Sequence, residues 1–187
     1  MSSRRVSAAN RQPFSNRSAV EWVNNGNTLV VAGNTEKWAT YLAKKEVIEF
    51  RGIQVMGTTW YGGNYFVTDD ALFAGLPKNC VFNWEYQCLA TYNKARLGMR
   101  LYTGNPIVGC VSDHKQEVYS ALSVIKHGRG KIILNALDIV SCLKTTKAEK
   151  KAEGDGENAS MSTFNADAKN PSNIVGQQLL LNMLRQN

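Results

Sequence analysis

The chain has 187 residues, of which 43% are hydrophobic and 20% are charged. This composition excludes a fibrous or wholly disordered chain and predicts one soluble globular domain with a substantial core. The net charge is +7, but four arginines in residues 1–17, a stretch without any acidic residue, supply more than half of it. We therefore predict a flexible basic tail over residues 1–17 and a mildly basic folded domain over residues 18–187.

Composition also bears on membranes, disulfides and metals. No apolar run is long enough to span a membrane, and the N-terminus lacks the hydrophobic region of a secretory signal. The four cysteines are Cys80, Cys88, Cys110 and Cys142. They form no CxxC pair, so buried free thiols are expected. The two histidines, His114 and His127, match no ligand spacing, and neither a metal nor a cofactor is predicted.

The first half of the chain predicts alternating helices and strands. Ser18 caps a short apolar helix that stops at Gly26. The β-branched run at residues 28–33 is typical of a strand that is buried on both faces of a parallel sheet. An amphipathic helix is expected over residues 36–45. This order of elements indicates an α/β domain.

The second half predicts three successive strands, a polar loop and a final helix. The strands are expected at residues 107–112, 118–126 and 131–135, with the glycine-rich residues 127–130 forming a hairpin. Residues 144–170 are charged and poor in apolar side chains, which predicts a solvated loop. Residues 172–184 combine a capping residue with an apolar face and predict a terminal helix docked on the sheet.

Several segments together resemble a known family. They are LFAGLP at residues 72–77, NWEYQ at 83–87, SDHKQEVYSA at 112–121, GRGKIIL at 128–134 and QQLLLN at 177–182. In these segments the chain resembles the glutamine-amidotransferase-like domain near the C-terminus of glycoside hydrolase family 2 proteins of the β-galactosidase-like group.

The resemblance implies both a fold and a role. The fold would be α/β: a flavodoxin-like or class I glutamine-amidotransferase-like three-layer sandwich with a mainly parallel sheet. The role would be that of a noncatalytic accessory domain, whose partners are the other domains of a parent glycoside hydrolase. Such a domain begins with a strand and a helix that residues 1–17 do not supply, so the chain is expected to be truncated at its N-terminus.

Catalytic chemistry finds little support in the sequence. Cys110 lies beside a glycine at a strand end, where an amidotransferase nucleophile would sit, but residues 109–112 continue as strand instead of forming a nucleophile elbow. Neither His114 nor His127 is followed by a glutamate two residues later. Glycosidic cleavage needs two facing carboxyl groups, which a sequence can nominate but not pair. The available acids are Asp69, Asp70, Glu85, Asp113, Glu117 and Asp138. No catalytic residue is predicted.

An aromatic cluster offers a binding surface instead. Its members are Trp60, Tyr61, Tyr65, Phe66, Phe82, Trp84, Tyr86 and Tyr92. Sugar rings stack on aromatic faces while polar neighbours bind hydroxyls, so we predict a glycan or interdomain contact at Trp60, Asn64, Trp84 and Glu85. Packing in the core is the competing interpretation, and for Glu85 a local ion pair competes as well.

A function from another class also fits the charge. Arg4, Arg5, Arg11 and Arg17 could make the chain a freestanding basic module that binds nucleic acid through its tail. Phosphate binding would weaken steeply with salt, whereas contact with a neutral glycan would not. Because the folded body is only mildly basic, tight nucleic-acid binding at physiological salt is not expected.

Overall fold

The structure is a computed structural model that describes residues 18–55, 65–82, 86, 89–90, 97–111, 117–143 and 171–186. The helices of this part are α1 (Ala19–Asn24), α2 (Thr35–Lys44), α3 (Ile139–Cys142), α4 (Pro171–Leu184) and a 3-10 turn at Ala71–Phe73. The strands are β1 (Thr28–Val31), β2 (Phe50–Val55), β3 (Tyr65–Val67), β4 (Cys80–Val81), β5 (Leu97–Leu101), β6 (Asn105–Val111), β7 (Val118–His127) and β8 (Gly130–Asn135). The predicted tail over residues 1–17 and the predicted loop over residues 144–170 lie outside the described residues.

All eight described strands belong to one mixed sheet. Its main path runs β1-β8-β7-β6-β3-β4, while β5 pairs with β7 and β2 pairs with β5. Only β1 and β8 run parallel, and every other described pairing is antiparallel.

The predicted fold class is therefore wrong: this is not a flavodoxin-like or amidotransferase-like sandwich with a mainly parallel sheet. The reason lies in the connections. The strands β6, β7 and β8 follow one another with short links, and a parallel pair would need a long crossover between them. A continuous apolar run shows that both faces of a strand are covered, but it does not report the direction of the neighbouring strand.

Two apolar clusters lie on opposite faces of the sheet. In β8, Ile132 and Leu134 pack with α1 and α2, whereas Ile133 packs with α4, because alternate side chains of a strand point to opposite faces. The deepest residues of α4, Leu179 and Met183, are fully buried. The expected docking of the terminal helix is thus confirmed.

Local predictions in the first and last parts of the chain are also confirmed. The Oγ of Ser18 accepts a hydrogen bond from the backbone N–H of Glu21 (3.2 Å), and Gly26 ends α1 with φ 107°. The hairpin joins β7 to β8 through Gly128 and Arg129. Gly128 has φ 58°, and glycine at the first of two turn residues suits the twist of a type II′ hairpin.

Two of the segments that carry the family resemblance contact each other. The side-chain amide of Asn182, in α4, donates to the carbonyl oxygens of Leu72 (2.8 Å) and Ala74 (2.9 Å). Gln178 donates to the Oδ1 of Asn182 (2.9 Å), so both polar atoms of this buried amide have hydrogen-bond partners. These segments therefore hold the final helix on the turn that contains Gly75. Within the described residues, no helix is both long and apolar enough to cross a membrane.

Candidate functional site

The predicted contact residues Trp60, Asn64, Trp84 and Glu85 all lie outside the described residues. Four other members of the aromatic cluster are described: Tyr65, Phe82 and Tyr86 are buried, and Phe66 is half-buried. The rings of Tyr65 and Phe82 stack at 5.1 Å between centroids, and those of Phe82 and Tyr86 at 5.0 Å. For these three side chains the competing interpretation, core packing, is confirmed. The contact face itself stays a prediction.

Cys110 is positioned as a core residue rather than a nucleophile. It lies inside β6 with its side chain fully buried, and its Sγ is 3.7 Å from the carbonyl oxygen of Tyr119. Burial raises the pKa of the Cys110 thiol to about 12. Because the thiolate is the nucleophilic form, this thiol is not activated for amidotransferase chemistry. The predicted continuation of the strand past Cys110 is confirmed as far as Val111.

We expect iodoacetamide to spare Cys110 in the native protein. With a pKa of about 12, the thiolate fraction at about pH 8 is roughly a thousandfold below that of a free thiol, and burial blocks access as well. Peptide mass mapping after timed labelling measures the rate, and Cys80, which is only partly buried, is the internal reference. Denaturation should remove the difference between the two thiols. Equal labelling of both in the native state would contradict the assigned burial.

Two of the nominated acids have structural roles. Asp69 forms an ion pair with Lys78 at 2.7 Å, and Asp70 accepts a hydrogen bond from the backbone N–H of Leu72 (2.8 Å), which caps the 3-10 turn. Both stabilise the Gly-Leu-Pro segment. These bonds give neither carboxylate the position of a proton donor towards a substrate.

A different polar group stands out around Glu117. One carboxylate oxygen accepts from the hydroxyl of Tyr102 (2.7 Å), and the other accepts from the hydroxyl of Tyr119 (3.0 Å). The Nε of Arg100 lies 3.8 Å from the second oxygen. The guanidinium of Arg51 lies over the Tyr102 ring, 4.9 Å from its centroid. We call these five residues the Tyr102–Glu117 cluster.

Strand register assembles this cluster. Met99 of β5 pairs with Ser120 of β7 in an antiparallel arrangement. Extending that register brings Arg100 opposite Tyr119 and Tyr102 opposite Glu117. Since residues two apart share one face of a strand, all four side chains reach the same face of the sheet.

The electrostatics of the cluster keep its protons in place. The pKa of Tyr102 is raised, first by its hydrogen bond to Glu117 and then by desolvation. The pKa of Arg100 is raised as well, chiefly by its interaction with Tyr119. Tyr102 therefore remains a phenol that donates to the carboxylate, and the arginine remains charged. Glu117 accepts these tyrosine protons through both of its carboxylate oxygens, as an ionised carboxylate can.

The cluster also offers a surface for stacking. Tyr102 is 53% exposed, although its hydroxyl is fixed by Glu117. An exposed ring beside a carboxylate and two guanidinium groups can cover the apolar face of a sugar while the charged groups bind its hydroxyls. The hydrogen bonds that hold the cluster lower the entropy lost when a ligand binds.

A second concave region lies at the carboxyl ends of the parallel pair, β1 and β8. This crevice has a volume of about 430 Å³ and is lined by the start of α2 and by residues 135–138. Its buried polar groups bind one another: the hydroxyl of Thr35 donates to the carbonyl oxygen of Asn135, and the Asn135 side chain bonds both main-chain groups of Leu137. These bonds brace the two loops, so the groups are not directed at a ligand.

Sequence reasoning named Glu117 as an available acid but missed Arg51, Arg100, Tyr102 and Tyr119. A signal was present, because Arg100 and Tyr102 are two apart, as are Glu117 and Tyr119, and such spacing places side chains on one strand face. The sequence does not show that the two pairs meet, since that depends on pairing between β5 and β7.

Comparison with known proteins finds no match to this chain among family models, curated proteins or solved structures. The resemblance to the amidotransferase-like domain therefore remains a prediction. Across the part of the chain that the structure describes, no three His, Cys, Asp or Glu side chains come together as metal ligands.

Proposed function

We propose that this chain is a noncatalytic accessory domain that works beside the catalytic domain of a glycoside hydrolase and contacts glycan through the Tyr102–Glu117 cluster. One observation carries the proposal: a carboxylate is held between two tyrosine hydroxyls next to an exposed aromatic ring. The resemblance of the sequence to accessory domains of β-galactosidase-like proteins supports the choice of glycan as ligand.

The arrangement of donors and acceptors supports binding rather than turnover. Glu117 accepts two hydrogen bonds from tyrosines, and Glu49 accepts one from Arg51 at 2.6 Å. Glycosidic cleavage requires one carboxyl group that gives a proton to the leaving group. Neither carboxylate is arranged to do so, because both act as acceptors.

The mode of contact follows from the exposed side of the cluster. The Tyr102 ring supplies an apolar platform for the C–H face of a sugar. Glu117 can accept from sugar hydroxyls, and Arg51 can donate to them. Because hydroxyl recognition by fixed charged groups is directional, the cluster should discriminate between sugars that differ in the orientation of one hydroxyl.

Tyr102→Ala is expected to weaken glycan binding at least about tenfold, equivalent to about 1.4 kcal/mol. The binding partner is first found by affinity electrophoresis against a panel of neutral and acidic polysaccharides, and the affinity is then measured by calorimetry. Tyr102→Phe keeps the ring but loses the bond to Glu117, so its effect should be smaller. The control is Trp22→Ala, which removes a ring that is 41% exposed on α1.

Two outcomes would reject this proposal. In one, no polysaccharide of the panel retards the folded protein. In the other, Tyr102→Ala and Trp22→Ala bind equally well, which would mean that the cluster makes no contact. The parallel variant Trp84→Ala tests the contact face predicted from sequence, and it is scored separately.

A further inference from the structure

A basic groove lies at the turn between β7 and β8, on the α4 face of the sheet. It has a volume of about 380 Å³, and Lys126, Arg129 and Lys131 line it together with Gly26, Thr28, Gly128, Gly130 and Gln186. We call it the hairpin groove. Among the residues that the structure describes, its lining contains three cationic side chains and neither an acidic nor an aromatic one.

The positive side chains that line this groove lie close to one another. Lys126 and Lys131 are direct cross-strand partners in the β7–β8 register. Like charges that face each other across an antiparallel pair are destabilising, and Arg129 in the turn adds a third. The ion pairs found among described residues involve other side chains. An anion in the groove would relieve this repulsion.

Main-chain hydrogen bonds fix the shape of the groove. Its side chains therefore remain available to bind a ligand. The backbone N–H of Arg129 donates to the carbonyl oxygen of Asn24 (3.1 Å), and that of Lys131 donates to Asn27 (3.2 Å). These bonds fix the turn on the end of α1. The Nζ of Lys131 has one long bond, at 3.4 Å, to the side chain of Gln186.

We propose that the hairpin groove binds the sulfate or uronate groups of an acidic glycan. This inference rests on the proposed function and narrows its ligand class. Grooves for single-stranded nucleic acid combine cations with aromatic side chains that stack the bases, and the described residues of this lining include no aromatic one. Three cations around an open groove suit oxyanions carried on a sugar chain, because charge-assisted bonds to sulfate or carboxylate are strong.

The groove is separate from the Tyr102–Glu117 cluster. Both involve β7, but Tyr119 and Lys126 are seven residues apart, which corresponds to about 23 Å along a strand. A substitution in one site should therefore leave the other intact. This separation allows the two proposals to fail independently.

The test compares two triple variants that each remove three positive charges. The groove variant is Lys126→Gln with Arg129→Gln and Lys131→Gln. The matched control is Lys37→Gln with Lys44→Gln and Lys45→Gln, three exposed lysines of α2 and its C-terminal end. Circular dichroism confirms folding, and a single Arg129→Gln variant covers the case in which the triple groove variant does not fold.

Four probes are titrated by calorimetry at about 50 and about 150 mM salt: dextran sulfate, polygalacturonate, neutral dextran and duplex DNA. The groove variant should lose at least about tenfold in affinity for dextran sulfate or polygalacturonate, and the control less than about twofold, because specific contacts exceed the effect of net charge. Arg129→Gln alone should lose part of that affinity. Comparison of the sulfated and uronate polymers identifies which oxyanion the groove prefers.

The inference is overturned if both triple variants lose affinity equally, since net charge would then explain binding. It is also overturned if the native protein binds duplex DNA more tightly than either acidic polymer. Failure of the proposed function would give a different result. The Tyr102→Ala variant would bind its polysaccharide with the same affinity as the native protein, while the groove variant would still lose affinity for the acidic polymers. Loss with Tyr102→Ala but not with the groove variant rejects the groove alone.

Discussion

Gly130→Ala is expected to lower the free energy of unfolding by about 3 kcal/mol, the upper part of the range for overpacking a closely packed site. A Cβ at this position would overlap the carbonyl oxygens of Val23 and Asn27, and both are main-chain atoms that cannot rotate away. The β7–β8 hairpin would have to move off α1, which breaks the bonds from Arg129 and Lys131 to that segment. Urea unfolding monitored by tryptophan fluorescence measures the loss.

Gly33→Ala provides the matched control for this substitution. Gly33 has no heavy atom within 4 Å of an added Cβ, so the same chemical change has nothing to displace. It should alter stability by no more than about 0.5 kcal/mol, as surface substitutions usually do. If the two alanine variants unfold at the same urea concentration, the close approach of the hairpin to α1 is wrong.

Asn182→Asp is expected to destabilise the protein by about 3 kcal/mol at neutral pH. The substitution keeps the size of the side chain but removes both N–H donors, so the carbonyl oxygens of Leu72 and Ala74 lose their partners and face a carboxylate. Leaving a buried acceptor unsatisfied costs about 1–3 kcal/mol, and charge repulsion adds to it. Differential scanning calorimetry gives the change in melting temperature.

The control for this prediction is Gln177→Ala on the exposed side of α4. This substitution should leave the melting temperature nearly unchanged, because the Gln177 side chain is exposed and its loss removes no contact from the core. Asn182→Ala should fall between the two, since it loses the donors without adding a charge. A melting temperature for Asn182→Asp equal to that of Gln177→Ala would show that α4 does not depend on this bond.

Gly130→Ala and Asn182→Asp test two different contacts between the sheet and its helices. Gly130 lies where α1 meets the hairpin, whereas Asn182 lies where α4 meets the Gly-Leu-Pro segment. They act on opposite faces of the sheet, through clusters that share no buried residue. Their effects should therefore add in the double variant.

Local chemistry in the sequence was sufficient to locate several elements. Ser18 and Gly26 bound the first helix, because a hydroxyl can satisfy a free helical N–H and glycine tolerates the left-handed backbone at the end. The glycines around Arg129 indicated the hairpin for the same conformational reason. Each of these signals lies within a few residues of the feature that it predicts.

The direction of the strands cannot be predicted from a short stretch of sequence. The apolar run that contains β1 predicted a strand in a parallel sheet, and β1 does pair in parallel with β8, but every other described pairing is antiparallel. A strand that is covered on both faces shows the same apolar pattern whether its neighbours run parallel or antiparallel to it. Only the path of the connections distinguishes the two arrangements.

The sequence by itself thus determined where α1, α2, α4, the hairpin and the strand around Cys110 lie, because caps, glycines and apolar periodicity act over short distances. The tertiary structure alone decided that Glu117 meets Tyr102, and that Lys126 and Arg129 share a groove with Gln186. The physical reason is strand register and helix docking. A shift of one residue between β5 and β7 would send alternate side chains to the other face and separate the cluster, although every residue in the sequence stayed the same.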